Sequence, residues 1–228
     1  MTHFSDGVAV GAAYPVGSGV TLGIPVPKVA IVSFGAVAAT ASNAIVDAYT
    51  ATQATTLSAT GTLVSGGVAT FDVPRNVSIL ATGSMSGFTY TVSGTDQYGV
   101  AMTEAVLGPT GAAAARAGVK AFKTVTSITT TGANGQAISI GTGSKLGAPY
   151  RVADKGKILG MAVDGVLETS LTIVAGYLTT SNASTATTAD VRGTVTAGTA
   201  PNGAKAFTLQ MLVDDADTSK GLYGLAQA

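Results

Sequence analysis

The chain has no cysteine, no tryptophan and one histidine in 228 residues. Without cysteine there are no disulfides and no thiolate metal ligands, which fits assembly in a reducing cytoplasm. The one histidine, His3, leaves Ser-His-acid and Cys-His catalysis almost nothing to work with. A zinc site lacks its usual ligands for the same reason. Charge is scarce too: Asp, Glu, Lys and Arg make up 11% of the chain, against roughly 25% in an ordinary globular protein. The 12 basic and 12 acidic residues cancel. A nucleic-acid partner is not expected, because phosphate neutralisation needs a basic stripe and none is visible. The nearest cluster, Arg151, Lys155 and Lys157 around Asp154, reads as a solvated loop.

Long hydrophobic runs are missing as well. "KVAIVSFGAVAATA" (28–41) is shorter than the ~20 residues of a membrane span and is interrupted by Ser33. It starts too late for a signal peptide, and "MTHFSDG" lacks a positive n-region. No membrane partner is expected. A weakly charged, neutral chain with a mean hydropathy of +0.42 needs to bury surface, and assembly is one way to do so.

What is present is the palette of a β protein. Thr and Val favour extended backbone because they branch at Cβ, and 30 glycines supply turns and bulges. Pro15, Pro25 and Pro27 among small residues suit strand edges or an extended arm. "ASNAIVDAYTATQATTL" (41–57) is the one segment with a helix-like spacing, and its threonines argue against a helix. "TGTLVSGGVATFDV" (60–73) reads as a Gly-Gly hairpin. Residues 1–70 therefore read as an extended, partly β arm with little core of its own.

Beyond it the alternation strengthens. In "SGFTYTVSGTDQYGVAMTEAV" (86–106), Phe88, Tyr90 and Val92 share one face and Thr89, Thr91 and Ser93 the other. The apolar phase of "VKAFKTVTSITTTG" switches between Phe122 and Val125, which predicts a bulge. Asp164-Gly165 between apolar runs predicts a two-residue hairpin turn, since both positions must accept positive φ. Phe207, Leu209, Met211 and Val213 form the apolar face of a late strand. The fold class expected is all-β: an antiparallel β-sandwich, Ig-like or jelly-roll-like, with an extended N-terminal arm. The sandwich spans 71–228 and is divisible into sub-sheets 71–150 and 151–228.

Paired carboxylates are the remaining route to catalysis, because glycoside hydrolysis needs only two. The candidates are Asp96 with Glu104 and Asp164 with Glu168. Asp96 and Asp164 are natural turn residues, Glu168 sits among hydroxyls, and sugar clefts usually present large aromatics, so structural roles are expected. "DDADTSKG" spaces Asp215, Asp217 and Ser219 like a calcium loop, but Ala226 and Gln227 stand where its closing Glu belongs. "ISIGTGSKLG" (138–147) lacks the GK[ST] ending and following helix of a phosphate loop. Asn76 and Asn182 head glycosylation sequons, which matter only in a eukaryotic secretory path. No catalytic, cofactor-binding or metal-binding residue is expected.

Several phrases, in order, carry a resemblance: "VPRNVSILATG", "YTVSGTDQYGVAMTEAVLGPTG", "VKAFKTVTSITTTGANGQAISIGTGSKLGAPYRV" and "ADVRGTVTAGTAPNGAKAFTL". Together they resemble the auxiliary capsid proteins, called decoration or cement proteins, of tailed bacteriophages, over roughly residues 73–210. The resemblance implies a non-enzymatic β-sandwich subunit on the capsid exterior that bridges neighbouring major capsid proteins, often as a trimer or dimer. It would be made in the bacterial host cytoplasm. Two rivals stay open: a phage tail tube or fibre subunit on the same sandwich, and a carbohydrate-binding surface domain using Asp96 and Glu104.

Overall fold

The computed structural model describes residues 28–133, 135–152, 154–176 and 193–213, together with the backbone of 13–16 and 20–23. The fold is all-β, with every ladder antiparallel. In chain order the strands are β1 (Ala13–Val16), β2 (Val20–Gly23), β3 (Lys28–Ala36), β4 (Val46–Tyr49), β5 (Thr55–Thr56) and β6 (Val64–Ser65). Then come β7 (Val68–Ala81), β8 (Thr89–Thr95), β9 (Ala101–Leu107), β10 (Arg116–Ala117), β11 (Phe122–Thr130) and β12 (Ile138–Gly147). The last five are β13 (Ile158–Val163), β14 (Val166–Leu167), β15 (Leu171–Ala175), β16 (Gly193–Ala197) and β17 (Ala206–Val213).

They form one large curled sheet, one four-stranded sheet and the separate β1–β2 hairpin. The large sheet runs β15-β16-β12-β7-β11-β8-β9, with β4 paired to β12, β5 to β11, and β6 and β10 to β7. The four-stranded sheet runs β14-β13-β17-β3. A first core fills the curl of the large sheet, with Phe71, Val77, Ile79, Tyr90, Val92, Met102, Phe122, Ile128, Ile138 and Ile140 buried. A second core lies between the two sheets: Phe207, Leu209, Met211 and Met161 meet Leu146, Val195, Leu171 and Ile173. This gives the molecule its sandwich-like layering.

Alternation decides which side chains enter each core. Tyr90 and Val92 point inward and Phe88 packs against the first core, while the threonines between them are half-buried. Phe207, Leu209, Met211 and Val213 are all buried, as their spacing predicts. The predicted bulge is present: register against β7 steps between Phe122 and Thr124. The Gly-Gly and Asp-Gly turns form as well, with positive φ at Gly66, Gly67, Asp164 and Gly165.

The stretch 41–57 is not helical; it holds β4 and β5. Residues 28–69, read from sequence as an arm with little core, are extended but contribute to both cores. Ile45, Val46, Ala51, Leu57 and Ala69 are buried in the first, and Val37 in the second. Small residues conceal this, because alanines spaced along coil carry no periodicity. The boundary between cores falls inside β12: Ile138 and Ile140 belong to the first and Leu146 to the second. β7 is shared too, since Phe71, Val77 and Ile79 enter the first core while Val73 packs on the second.

Candidate functional site

The densest polar chemistry lies at a seam of the large sheet. β10 pairs with β7 at Ser78 and Ile79 and runs alongside β9 with no backbone ladder between them. Glu104 bridges that gap. It faces inward opposite Val92 and is only 1% exposed. Its carboxylate accepts from the backbone N–H of Val119 at 2.6 Å and of Lys120 at 3.3 Å. Lys120, also buried, donates its ammonium to the Thr103 carbonyl at 2.7 Å, so the two strands are fastened in both directions. Gly118 leaves the room the Glu104 carboxylate occupies, since a Cβ there would make that carboxylate shift.

Gly118 links Glu104 to a second layer. Its carbonyl accepts from Lys145 Nζ at 2.8 Å and from Asn76 Nδ2 at 3.1 Å. Asn76 Oδ1 in turn takes the Lys145 backbone N–H at 2.9 Å. Burial pushes the Glu104 carboxyl up to about 7, outweighing the pull of the Val119 and Lys120 amides and the Lys120 and Lys145 ammoniums. Burial likewise lowers Lys145, against the attraction of Glu104. A cleft of about 180 Å³ opens along the seam between Glu104–Leu107 and Arg116–Val119. Ala117 also lines a groove of about 320 Å³, whose walls include Ser78, Leu80, Ala115, Thr142 and Lys145.

A carboxyl near 7 in a cleft could in principle exchange protons at neutral pH. A glycosidase arrangement also needs a second carboxylate about 5–9.5 Å away. Asp96 does not supply it. Its backbone bonds to Val100, four residue pairs along the hairpin from Val92–Glu104, which is about 13 Å of strand. Its side chain closes the turn, accepting from the N–H groups of Tyr98 at 2.7 Å and Val100 at 3.0 Å. Asp164 is similarly occupied by the Ala206 N–H at 2.8 Å, and Glu168 by the N–H and hydroxyl of Thr199 at 3.0 and 2.6 Å. The hydrogen bonds of Thr199 hold the Glu168 carboxyl below its ordinary range.

The remaining sequence candidates fall apart spatially. Asp154 caps the 3-10 turn Lys155–Lys157, accepting from Gly156 N–H at 2.7 Å. "ISIGTGSKLG" is strand β12. Asn76 is fully buried in β7, where no glycan could reach it. His3, Asn182, Asp215, Asp217, Ser219, Ala226 and Gln227 lie outside the described residues. Among the described residues, no three His, Cys, Asp or Glu side chains converge to hold a metal ion. No helix there is long and apolar enough to cross a membrane.

Two features escaped sequence reasoning. One is the buried basic set. Arg75 is wholly buried and clamps the β3–β4 connection, donating Nη1 to the Ala38 carbonyl at 2.9 Å and to Asp72 at 3.3 Å. A lysine or arginine inside an apolar strand phrase, as in "VPRNVSI" or "VKAF", was the available signal. The other is the outer face of the four-stranded sheet. Val29 and Ile31 of β3, Leu159 of β13 and Leu167 of β14 are exposed there, Ile31 by 71%. Between them lie Ser33, Ala162, Thr208, Gln210 and Leu212, so no charge interrupts the face. No protein-family model, curated protein or solved structure matches this chain.

Proposed function

We propose that this chain is a non-enzymatic virion protein that binds and stabilises the capsid lattice of a tailed phage, as a decoration or cement subunit. The observation that carries the reading is the uncharged apolar outer face of the four-stranded sheet. Of eight large hydrophobic side chains exposed among the described residues, four (Val29, Ile31, Leu159 and Leu167) share it. Contiguous apolar surface of this kind marks a docking site more often than scattered exposure does. The four candidate carboxylates support the same reading, since Glu104 and Asp96, both buried, the turn residue Asp164, and Glu168 each hold backbone in place. The resemblance of the strand phrases supplies the partner, a major capsid protein.

The test is co-sedimentation of the purified chain with assembled tailed-phage heads. Wild type should pellet with heads, and Leu159→Lys/Leu167→Lys should not. Pelleting by the double variant at wild-type levels would remove the face from the interaction. No pelleting of the wild type at all would remove the capsid reading, and electron microscopy of labelled virions would then test the tail. An N-terminal truncation belongs at residue 27, because Lys28–Ala30 already lie in β3.

A further inference from the structure

β7 and β12 pair residue for residue from Ile138–Ala81 to Thr142–Val77, and the ladder then breaks before Leu146–Arg75. Across the break Gly143, Ser144 and Lys145 of β12 face Asn76 alone, and such a bulge re-aims the groups it holds. Asn76 is fully buried. Its Oδ1 accepts the backbone N–H of Lys145 at 2.9 Å, while its Nδ2 donates to the carbonyls of Gly118 at 3.1 Å and Val77 at 3.2 Å. Lys145 sends its side chain to the same Gly118 carbonyl, donating Nζ at 2.8 Å. One oxygen therefore gathers both side-chain nitrogens, which lie no farther apart than those two hydrogen bonds laid end to end. Gly143 leaves the room for this, since a Cβ there would meet the Asn76 amide.

We propose that Lys145 and Asn76 become joined in the folded chain by an isopeptide bond from Nζ to Cγ. Such a reaction needs a free amine, a polarised carbonyl, a fixed approach and an exit for the leaving group. Burial lowers the Lys145 ammonium, so more of it is free amine at a given pH than in an exposed lysine. The Lys145 N–H on Oδ1 stands where negative charge develops during attack. Gly118 is held in place by the bonds of Glu104 to the next two amides, which keeps the pair in one geometry. The Nζ lone pair forms the new bond to Cγ, and charge gathers on Oδ1. As the carbonyl re-forms, the Cγ–Nδ2 bond breaks, one proton passes from Nζ to Nδ2, and ammonia leaves. Atoms and charge balance, and no oxidant or reductant takes part. The groove lined by Asn76, Gly143 and Lys145 is the way out for ammonia.

The link fastens β7 to β12 where their ladder lapses, and these are strands that both cores share. It lies within one chain, so its outcome is separate from that of the capsid reading. Intact-mass measurement of the purified full chain under denaturing conditions should find it lighter by one ammonia, about 17 Da. Tryptic digestion with tandem mass spectrometry should recover a branched peptide that carries both Asn76 and Lys145. Lys145→Arg keeps the positive charge and removes the nucleophile, so that variant should show its full mass. On denaturing gels the wild type should run ahead of Lys145→Arg, because a closed loop keeps the unfolded chain compact. The wild type at full mass, with no branched peptide, would overturn the proposal without any variant having to fold. So would an ammonia loss that persists in Lys145→Arg, since it would then come from another asparagine.

Discussion

Glu104 concentrates the residue-scale chemistry of this protein. It is a buried acid whose main partners are backbone amides, so its protonation state is linked to stability. The folded group titrates near 7 and the unfolded one near 4.5. Below pH 4.5 both states hold the proton and the favourable contribution is fully present. Between 4.5 and 7 only the folded state holds it, so stability falls as pH rises, and above 7 it levels off. The gap corresponds to about 3 kcal/mol at most. Urea midpoints measured from pH 4 to 8 should decline across that window in wild type, and Glu104→Gln should flatten the decline. An equal slope in the variant would assign the dependence to another group. The sequence offered Glu104 as half of a catalytic pair. What it could not offer was the amide segment 118–120 folded against it, because that contact joins strands 15 residues apart through a side chain and not a ladder.

At the scale of elements, turn chemistry was the most legible part of the chain. Asp164-Gly165 and Gly66-Gly67 could be read directly, because positive φ restricts residue choice within two positions. The β13–β14 turn can be tested by Gly165→Ala, which forces alanine to φ 80° and should cost about 1 kcal/mol, read as a lowered urea midpoint. A cost near zero would mean the turn relaxes to another type. The alternation of 88–92 and 207–213 was equally legible, since strand period is a local property. Less legible were β3, β4 and β5. "KVAIVSFGAVAATA" looks like a uniform apolar run, yet Val29 and Ile31 face outward while Ala30 and Val32 pack inward. Nothing local separates those two fates, because both sides of an edge strand here are apolar.

For the molecule as a whole, the decisive feature is that the two cores share strands. β7 sends Phe71 and Ile79 into the first and lays Val73 on the second, and β12 divides Ile140 from Leu146 in the same way. Damage to either core should therefore propagate to the other. Phe207→Ala, in the second core, should cost about 3–5 kcal/mol. It should also reduce amide hydrogen-exchange protection in β8 of the first core as well as in β17. Loss confined to β17 would show that the cores open independently.

The sequence by itself determined the all-β class, the main turns, the bulge in β11 and the inward faces of β8 and β17. Each depends on residues within a few positions of one another. The tertiary structure decided which strands became edges, where the core boundary fell, and that Glu104, Lys120, Lys145 and Asn76 meet at one seam. Those outcomes depend on pairings between distant parts of the chain, as between Asn76 and Lys145 at the seam and between Lys28 and Val213 in the β3–β17 ladder. Burial is a property of the partner strand as much as of the residue, and the partner is chosen far away in the chain.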